Sequence, residues 1–352
     1  MRLLIYADPH WSSTSSIVRS RGEKYSSRLE NLIKTMQWIE NTAVQLDCSS
    51  VVCLGDFFDT PSLNSEELSA LGEIEWSNLY HYFIVGNHEI GKWDLSLNSA
   101  NILELADKFA VISEPTEIPN WRTDTAIICI PYILEKDRKS LKEYLLSAKP
   151  NIDSVENVIV FSHNDISGIQ MGRMISKDGF TIDEIKENCS LFVNGHLHNG
   201  TEVDRGIINL GNITGQNFGE DAYTYSHNAM LLDTDTHEVR FIENPYAFNF
   251  YKLDVSNVPE NGIKEMLSSL KNNAVVSISG RENQTCYIND LIKSMENIVA
   301  SRVTVLYEES TEQHSIDRAE TNHIEKFMNF VLETVGDTEM IREELLTVGG
   351  NI

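Results

Sequence analysis

Several things are scarce in this chain. No apolar run approaches the roughly 20 residues that span a bilayer, so a membrane-spanning helix is not expected. The five cysteines (Cys48, Cys53, Cys129, Cys189, Cys286) are odd in number and lack paired spacing. That excludes a cysteine zinc site and a disulfide framework, and implies a reducing, cytoplasmic setting. Three of them, Cys53, Cys129 and Cys189, lie in or beside apolar runs, where a free thiol acts as a small hydrophobe. Met1 to Asp8 reaches an acidic residue too early for a signal peptide. Basic residues are few, 28 Lys and Arg against 53 Asp and Glu, for a net charge of −25. Residues 246–352 hold 9 against 17, leaving 19 against 36 upstream, so neither part is basic. A broad basic nucleic-acid surface is thereby excluded. Any nucleic acid must be drawn in by metal ions, local patches or a partner.

What is present is a globular chain of 352 residues, 41% hydrophobic, long enough for one large domain and a smaller one. Up to residue 245, short apolar runs alternate with helix-period segments, the pattern of a layered α/β sandwich. Strands are expected at Leu3–Ala7, Ser50–Leu54, Tyr82–Val85, Ala126–Ile130, Val158–Phe161 and Leu191–Val193. Helices are expected at Ser26–Leu46, Ser65–Trp76 and Asn98–Phe109, and through Leu141 and Leu145. Ile207–Leu210, Ala229–Leu232 and Val239–Ile242 read as antiparallel strands closing the sheet. From residue 246 to about 310 the pattern restarts as a small βαβαβ unit. Residues 311–352 open with a polar linker. Ile324, Phe327, Met328, Val331, Leu332 and Val335 then mark an amphipathic helix that either packs on its own chain or docks on a partner.

Five of the apolar runs end in polar clusters. These are Asp8-Pro9-His10, Gly55-Asp56, Gly86-Asn87-His88-Glu89, Ser162-His163 and Asn194-Gly195-His196-Leu197-His198. A single histidine or aspartate after a strand is ordinary turn chemistry. Here, five of the ten histidines gather at the carboxyl ends of strands, where open α/β sheets bind ligands. Imidazole, carboxylate and amide oxygen without thiolate suit manganese, iron or zinc. Seven ligating side chains are too many for one ion but fit two that share a carboxylate, the arrangement that clamps a phosphoryl displacement.

This order of motifs resembles the calcineurin-like metallophosphoesterase superfamily over residues 1–245. The resemblance implies that Asp8, His10 and His198 hold one ion, that Asp56 bridges, and that Asn87, His163 and His196 hold the other. It implies two divalent ions, manganese first, with magnesium, iron or zinc as alternatives. It makes His88 a non-ligand catalytic histidine assisting the leaving oxygen, while activated water attacks phosphorus. Gly55-Asp56-Phe57-Phe58-Asp59 is most similar to the Gly-Asp-x-Phe-Asp segment of SbcD-type nucleases. Gly211-Asn212-Ile213-Thr214 with Phe218-Gly219-Glu220 is similar to their Gly-Ser…Phe-Gly-Glu segment. On that resemblance residues 1–245 would be the nuclease domain, 246–310 a DNA-capping domain and 311–352 a linker with partner-docking helices. The implied partners are DNA, an SbcC-like coiled-coil ATPase and a second copy of the chain. If the chain is phage-encoded, its compartment is the host cytoplasm. The sequence departs from the pattern at Trp11-Ser12, where Leu-Gly is usual, at Glu89, where Asp is usual, and at Ser162, where Gly is usual. Asp59 would fix a loop or simply cap a turn. A phosphoesterase of small phosphoesters or nucleotides, or a scaffold that kept its metal site, stays open.

Overall fold

Successive residues of the first strand serve two different cores. Leu3 and Ile5 point to one and Leu4 and Tyr6 to the other, the two-residue period of a strand buried on both faces. The second strand does the same, with Val52 and Leu54 against Val51 and Cys53. In this computed structural model, which describes residues 1–14, 23–91, 94–105, 107–171 and 174–306, that alternation builds four layers. A six-stranded sheet runs Glu238–Glu243, Asn228–Asp233, Arg2–Tyr6, Ser50–Cys53, Tyr80–Ile84, Phe109–Ile112. A second runs Thr201–Asp204, Ile207–Asn209, Leu191–Asn194, Asn157–Ser162, Thr125–Ile130, Thr116–Ile118. Leu3, Val52, Ile84, Ile127, Ile159, Phe161 and Val193 fill the space between the sheets. Helices Ser27–Gln45 and Ser65–Leu71 cover the first sheet, and Leu141–Ala148 and Ile182–Asn188 the second.

Arg2–Tyr6, Ser50–Cys53 and Tyr80–Ile84 run parallel in the first sheet, as Leu191–Asn194, Asn157–Ser162 and Thr125–Ile130 do in the second, so their carboxyl ends emerge on one side. Asn228–Asp233 is antiparallel to Arg2–Tyr6, as expected. The first two strands continue to hydrogen-bond past their formal ends. Asp8 N donates to Gly55 O at 3.2 Å, His10 N to Asp56 O at 3.0 Å and Trp11 N to Phe57 O at 2.7 Å. Two polar loops are thereby fixed side by side.

Several elements differ from expectation. Asn98–Phe109 is not a helix: Asp94–Asn98 is extended, Ser99–Leu105 forms a 3-10 turn, and Phe109–Ile112 pairs in parallel with His81–Ile84. Phe109 earns its place there by packing on Trp76 and His81, with ring centroids 5.0 and 4.5 Å apart, so tertiary pairing overrides the helical period. The helix from Ser65 stops at Leu71, before the weak helix former Gly72. Ile207–Asn209 is parallel to Leu191–Asn194, because the short polar strand Thr201–Asp204 intervenes and turns the chain. The crossover helix Ile182–Asn188, capped by Thr181, buries only Ile185 and leaves little periodicity to read.

Beyond the sandwich, Asn249–Asp254, Ala274–Arg281 and Ile298–Leu306 form a three-stranded parallel sheet with helices Glu260–Ser268 and Thr285–Lys293. It has its own apolar core of Leu253, Val255, Ile263, Leu267, Val276 and Ile288. Residues 1–306 make one compact unit. The linker and helices expected over 311–352 lie outside the described residues. Among the described residues no helix is long and apolar enough to cross a membrane.

Candidate active site

The five loops meet at the carboxyl ends of the strands, and all eight residues singled out in the sequence come together there. Asp8, His10 and His198 offer ligand atoms within 4.8 Å of one another, as do Asp56, His163 and His196. Asn87 joins the second group, its Oδ1 3.1 Å from His163 Nε2. His10, Asp56 and His88 form a third such group between them.

The backbone is strained to achieve this. Asp8, His10, Asp56 and His196 have φ of 51°, 49°, 48° and 73°. Non-glycine residues enter this left-handed region rarely and at a cost of order 1–3 kcal/mol each. Two glycines make room. A Cβ on Gly86 would sit 2.1 Å from Asp56 Oδ1, and one on Gly55, itself at φ 112°, 2.3 Å from His163 Nδ1.

Asp56 is oriented as a bridge. The His88 N–H donates to Oδ1 at 2.9 Å. The other oxygen, Oδ2, lies 3.2 Å from His163 Nε2 and 3.9 Å from His10 Nε2, between the two groups. Burial would raise its pKa, but the charge and hydrogen bond of His163, with His10 and His88, hold the carboxyl far below the usual range.

Three imidazoles are locked through Nδ1. His10 donates to Asp59 Oδ1 at 2.9 Å, His198 to Glu220 Oε1 at 3.0 Å, and His163 to the Leu54 carbonyl at 2.8 Å. A carboxylate or carbonyl oxygen only accepts, so each Nδ1 carries the hydrogen and each Nε2 is turned inward. His10 Nε2 and His198 Nε2 then face each other at 3.1 Å. Two lone pairs that close repel unless a cation or proton lies between them. The donor set therefore fits divalent ions.

Asp59 and Glu220 owe their low pKa values to these partners. Burial opposes ionisation, and hydrogen bonds from His10 and His88, and from His198, prevail. Burial pushes His163 down, yet Asp56 outweighs it and lifts His163 to about 9. His88, half-exposed, is lifted to about 9 by its hydrogen bond to Asp59. Its Nδ1 lies 3.0 Å from Asp59 O, which leaves Nε2 free to face a substrate.

Some functional residues were not readable as such. Glu89 accepts from Gly86 N at 2.7 Å and Phe58 N at 3.2 Å, stapling the Asn87 loop to the Asp56 loop. Burial and the Asp56 charge raise it to about 7. Asp59 supports His10 and His88 instead of merely capping a turn, and Asp165 lies 3.5 Å from His196 Nε2. The pairing of Glu220 with His198 leaves no local signal, because 22 residues separate them.

A model of calcineurin-like phosphoesterases matches residues 1–200. No curated protein matches. Among solved structures, an archaeal phosphodiesterase is similar at 14% identity and a TM-score of 0.35, covering 69% of this chain and 99% of that one. A dimetal phosphatase from Danio rerio is similar at 12% and 0.39, covering 65% and 91%. A 5'-nucleotidase from Candida albicans is similar at 12% and 0.38, covering 69% and 51%. At such scores these likenesses carry no inference. The matched family model spans more than half of the chain, and the chain belongs to the calcineurin-like phosphoesterases, metal-dependent hydrolases of phosphoester bonds.

Proposed function

We propose that this hydrolase is a DNA phosphodiesterase, the nuclease subunit of an SbcC–SbcD-like recombination and repair complex. Asp8, His10, His198 and Asp56 would hold one divalent ion, and Asp56, Asn87, His163 and His196 the other, manganese by preference. When bound, such ions neutralise phosphate charge, act as Lewis acids and lower the pKa of water. The chain's own contribution is orientation and a proton. Asn87, its Oδ1 3.1 Å from His163 Nε2, steadies a non-bridging phosphate oxygen, and His88, whose pKa the Asp59 hydrogen bond raises, presents Nε2–H to the departing sugar oxygen.

The observation that carries the reading is where the three-stranded unit attaches. Ala222 N donates to Phe250 O at 3.1 Å and Gly215 N to Phe248 O at 3.2 Å. Phe218 packs on Phe250 and Tyr223 on Tyr251. This is the same loop whose Glu220 supports His198. A capping element anchored on a ligand-supporting loop suits a long polymer, and hydrolysis of a small phosphoester does not call for one. With a net charge of −25 the chain needs help to hold DNA. An ATPase partner bound through residues 311–352 would supply phosphate contacts, and a second copy a second site.

The test compares manganese-dependent turnover of linear duplex DNA, a chromogenic phosphodiester and a nucleotide, with and without an SbcC-like ATPase. Duplex cleavage that the ATPase and ATP stimulate is expected. Efficient nucleotide turnover with no cleavage of DNA would sink the proposal.

A further inference from the structure

We propose that Arg28 is a positioning residue for one ion of the pair: its buried guanidinium sets the Asp8, His10 and His198 half of the site and leaves the Asn87, His163 and His196 half alone. Arg28 is 2% exposed, in the first turn of helix Ser27–Gln45. Its hydrogen bonds go to neutral oxygens. Nη2 donates to Pro9 O at 2.9 Å and Gln216 Oε1 at 2.8 Å, and Nη1 to Gly215 O at 3.1 Å. A buried cation that only carbonyl groups satisfy is costly, and burial lowers Arg28 to about 10, still charged at neutral pH. The fields that favour its charge come from Asp59 and Glu220, the two carboxylates that orient His10 and His198.

Arg28 reaches every member of that half through short links. Pro9 lies between Asp8 and His10, two residues held at positive φ. Gln216 donates its backbone N–H to Glu220 Oε2 at 2.7 Å, and Glu220 Oε1 accepts from His198. Apart from the shared Asp56 and the His196 N–H that donates to Asp8, the other half is fastened elsewhere. Leu54 O holds His163, Glu89 joins the Asp56 and Asn87 loops, and Asp165 stands beside His196. The inference does not depend on which phosphoester is cleaved.

The experiment is manganese titration of the metal-free protein by calorimetry and electron paramagnetic resonance, for wild type, Arg28→Met, Arg28→Lys and Gln216→Met. In Arg28→Met one binding step weakens by about 10–100-fold while the other stays within about threefold. The spin-coupled signal of a manganese pair is lost at metal concentrations that saturate wild type and returns in excess metal. Arg28→Lys keeps the charge but fewer of the three contacts, and falls between. A folded Arg28→Met protein with both steps unchanged, or both weakened alike, overturns the proposal. Should Arg28→Met not fold, Gln216→Met must show the same one-sided weakening, and its absence is equally decisive.

Discussion

The two halves of the site hold their histidines by different means. In one, His10 and His198 each donate Nδ1–H to a carboxylate, Asp59 or Glu220. In the other, His163 donates to the Leu54 backbone carbonyl, and the carboxylate beside the His196 ring, Asp165, is 3.5 Å from its Nε2. A carboxylate behind an imidazole makes it a more basic ligand and stabilises charge on the ring, whereas a carbonyl mainly fixes its orientation. The first half is therefore tuned by side chains and can be loosened by single substitutions. The second is set by the strand ends themselves, with glycine gaps where the backbone passes close. Each half borrows from the other, since the His196 N–H donates to both oxygens of Asp8 at 3.1 Å.

The most drastic way to break the comparison is to remove what the halves share. Asp56→Asn keeps the shape but takes the charge between His10 and His163. Turnover of a phosphodiester should fall by at least about 10³-fold, and bound manganese, counted after desalting, should drop below two per chain. A protein that retains both ions would show that Asp56 does not bridge. Next comes His88, which stands at the boundary with its side chain 41% exposed. His88→Asn should keep both ions and lower kcat by about 10²–10⁴ with KM little changed. Wild-type turnover in that variant would remove its role as proton donor.

How much of this was legible in the sequence divides along the same line. The ligands could be read because strands are local: an apolar run of four or five residues followed by Asp, Asn or His marks its own carboxyl end. The sandwich followed from the same runs, with α/β alternation to position 200. Asp59, in the Asp56 loop itself, could be read as a loop-fixing residue, but most supporting residues could not, because what they touch is distant. Glu220 meets His198 only after Thr201–Asp204 and Ile207–Asn209 have formed, and Arg28 meets Gly215 and Gln216 only after the chain has passed through both sheets. Glu89 registered only as a departure from a motif, although it bonds the backbone of two ligand loops. The failures of secondary structure share that cause. Phe109–Ile112 and Thr201–Asp204 become strands through a neighbour they pair with, and neither carries a strong period of its own.

Glu220→Gln sharpens the comparison. It preserves a hydrogen-bond acceptor for His198 Nδ1 but removes the charge, so one manganese should bind about 10-fold to 100-fold more weakly and the other nearly as before. Titration of the metal-free protein would show the asymmetry, and equal weakening would deny that the halves are independent. pH addresses the other half. In the metal-free protein His163 is raised from 6.5 to about 9, so its protonated form stabilises the fold fully below pH 6.5, and that contribution is lost as pH rises toward 9. Thermal stability without metal should fall across that window. Manganese affinity should rise over it by up to about tenfold per unit for each proton displaced. A flat affinity between pH 6.5 and 9 would mean that His163 enters the site unprotonated.

The smallest effect is expected at Asp165. Its oxygen is 3.5 Å from His196 Nε2, beyond a good hydrogen bond, and its side chain is 21% exposed to water that screens it. The proximity of His196 still lowers the Asp165 pKa, with burial opposing, so the carboxylate is ionised at neutral pH and acts on the ring mainly as a field. Asp165→Asn should therefore change manganese affinity and turnover by less than about threefold, while Asp59→Asn, which breaks a 2.9 Å contact to a buried ring, should cost far more. Measured side by side in the same titration, the two variants weigh a carboxylate in contact against one in proximity. A loss at Asp165 as large as at Asp59 would mean that both halves rest on carboxylates after all, and that His196 is held as firmly as His10.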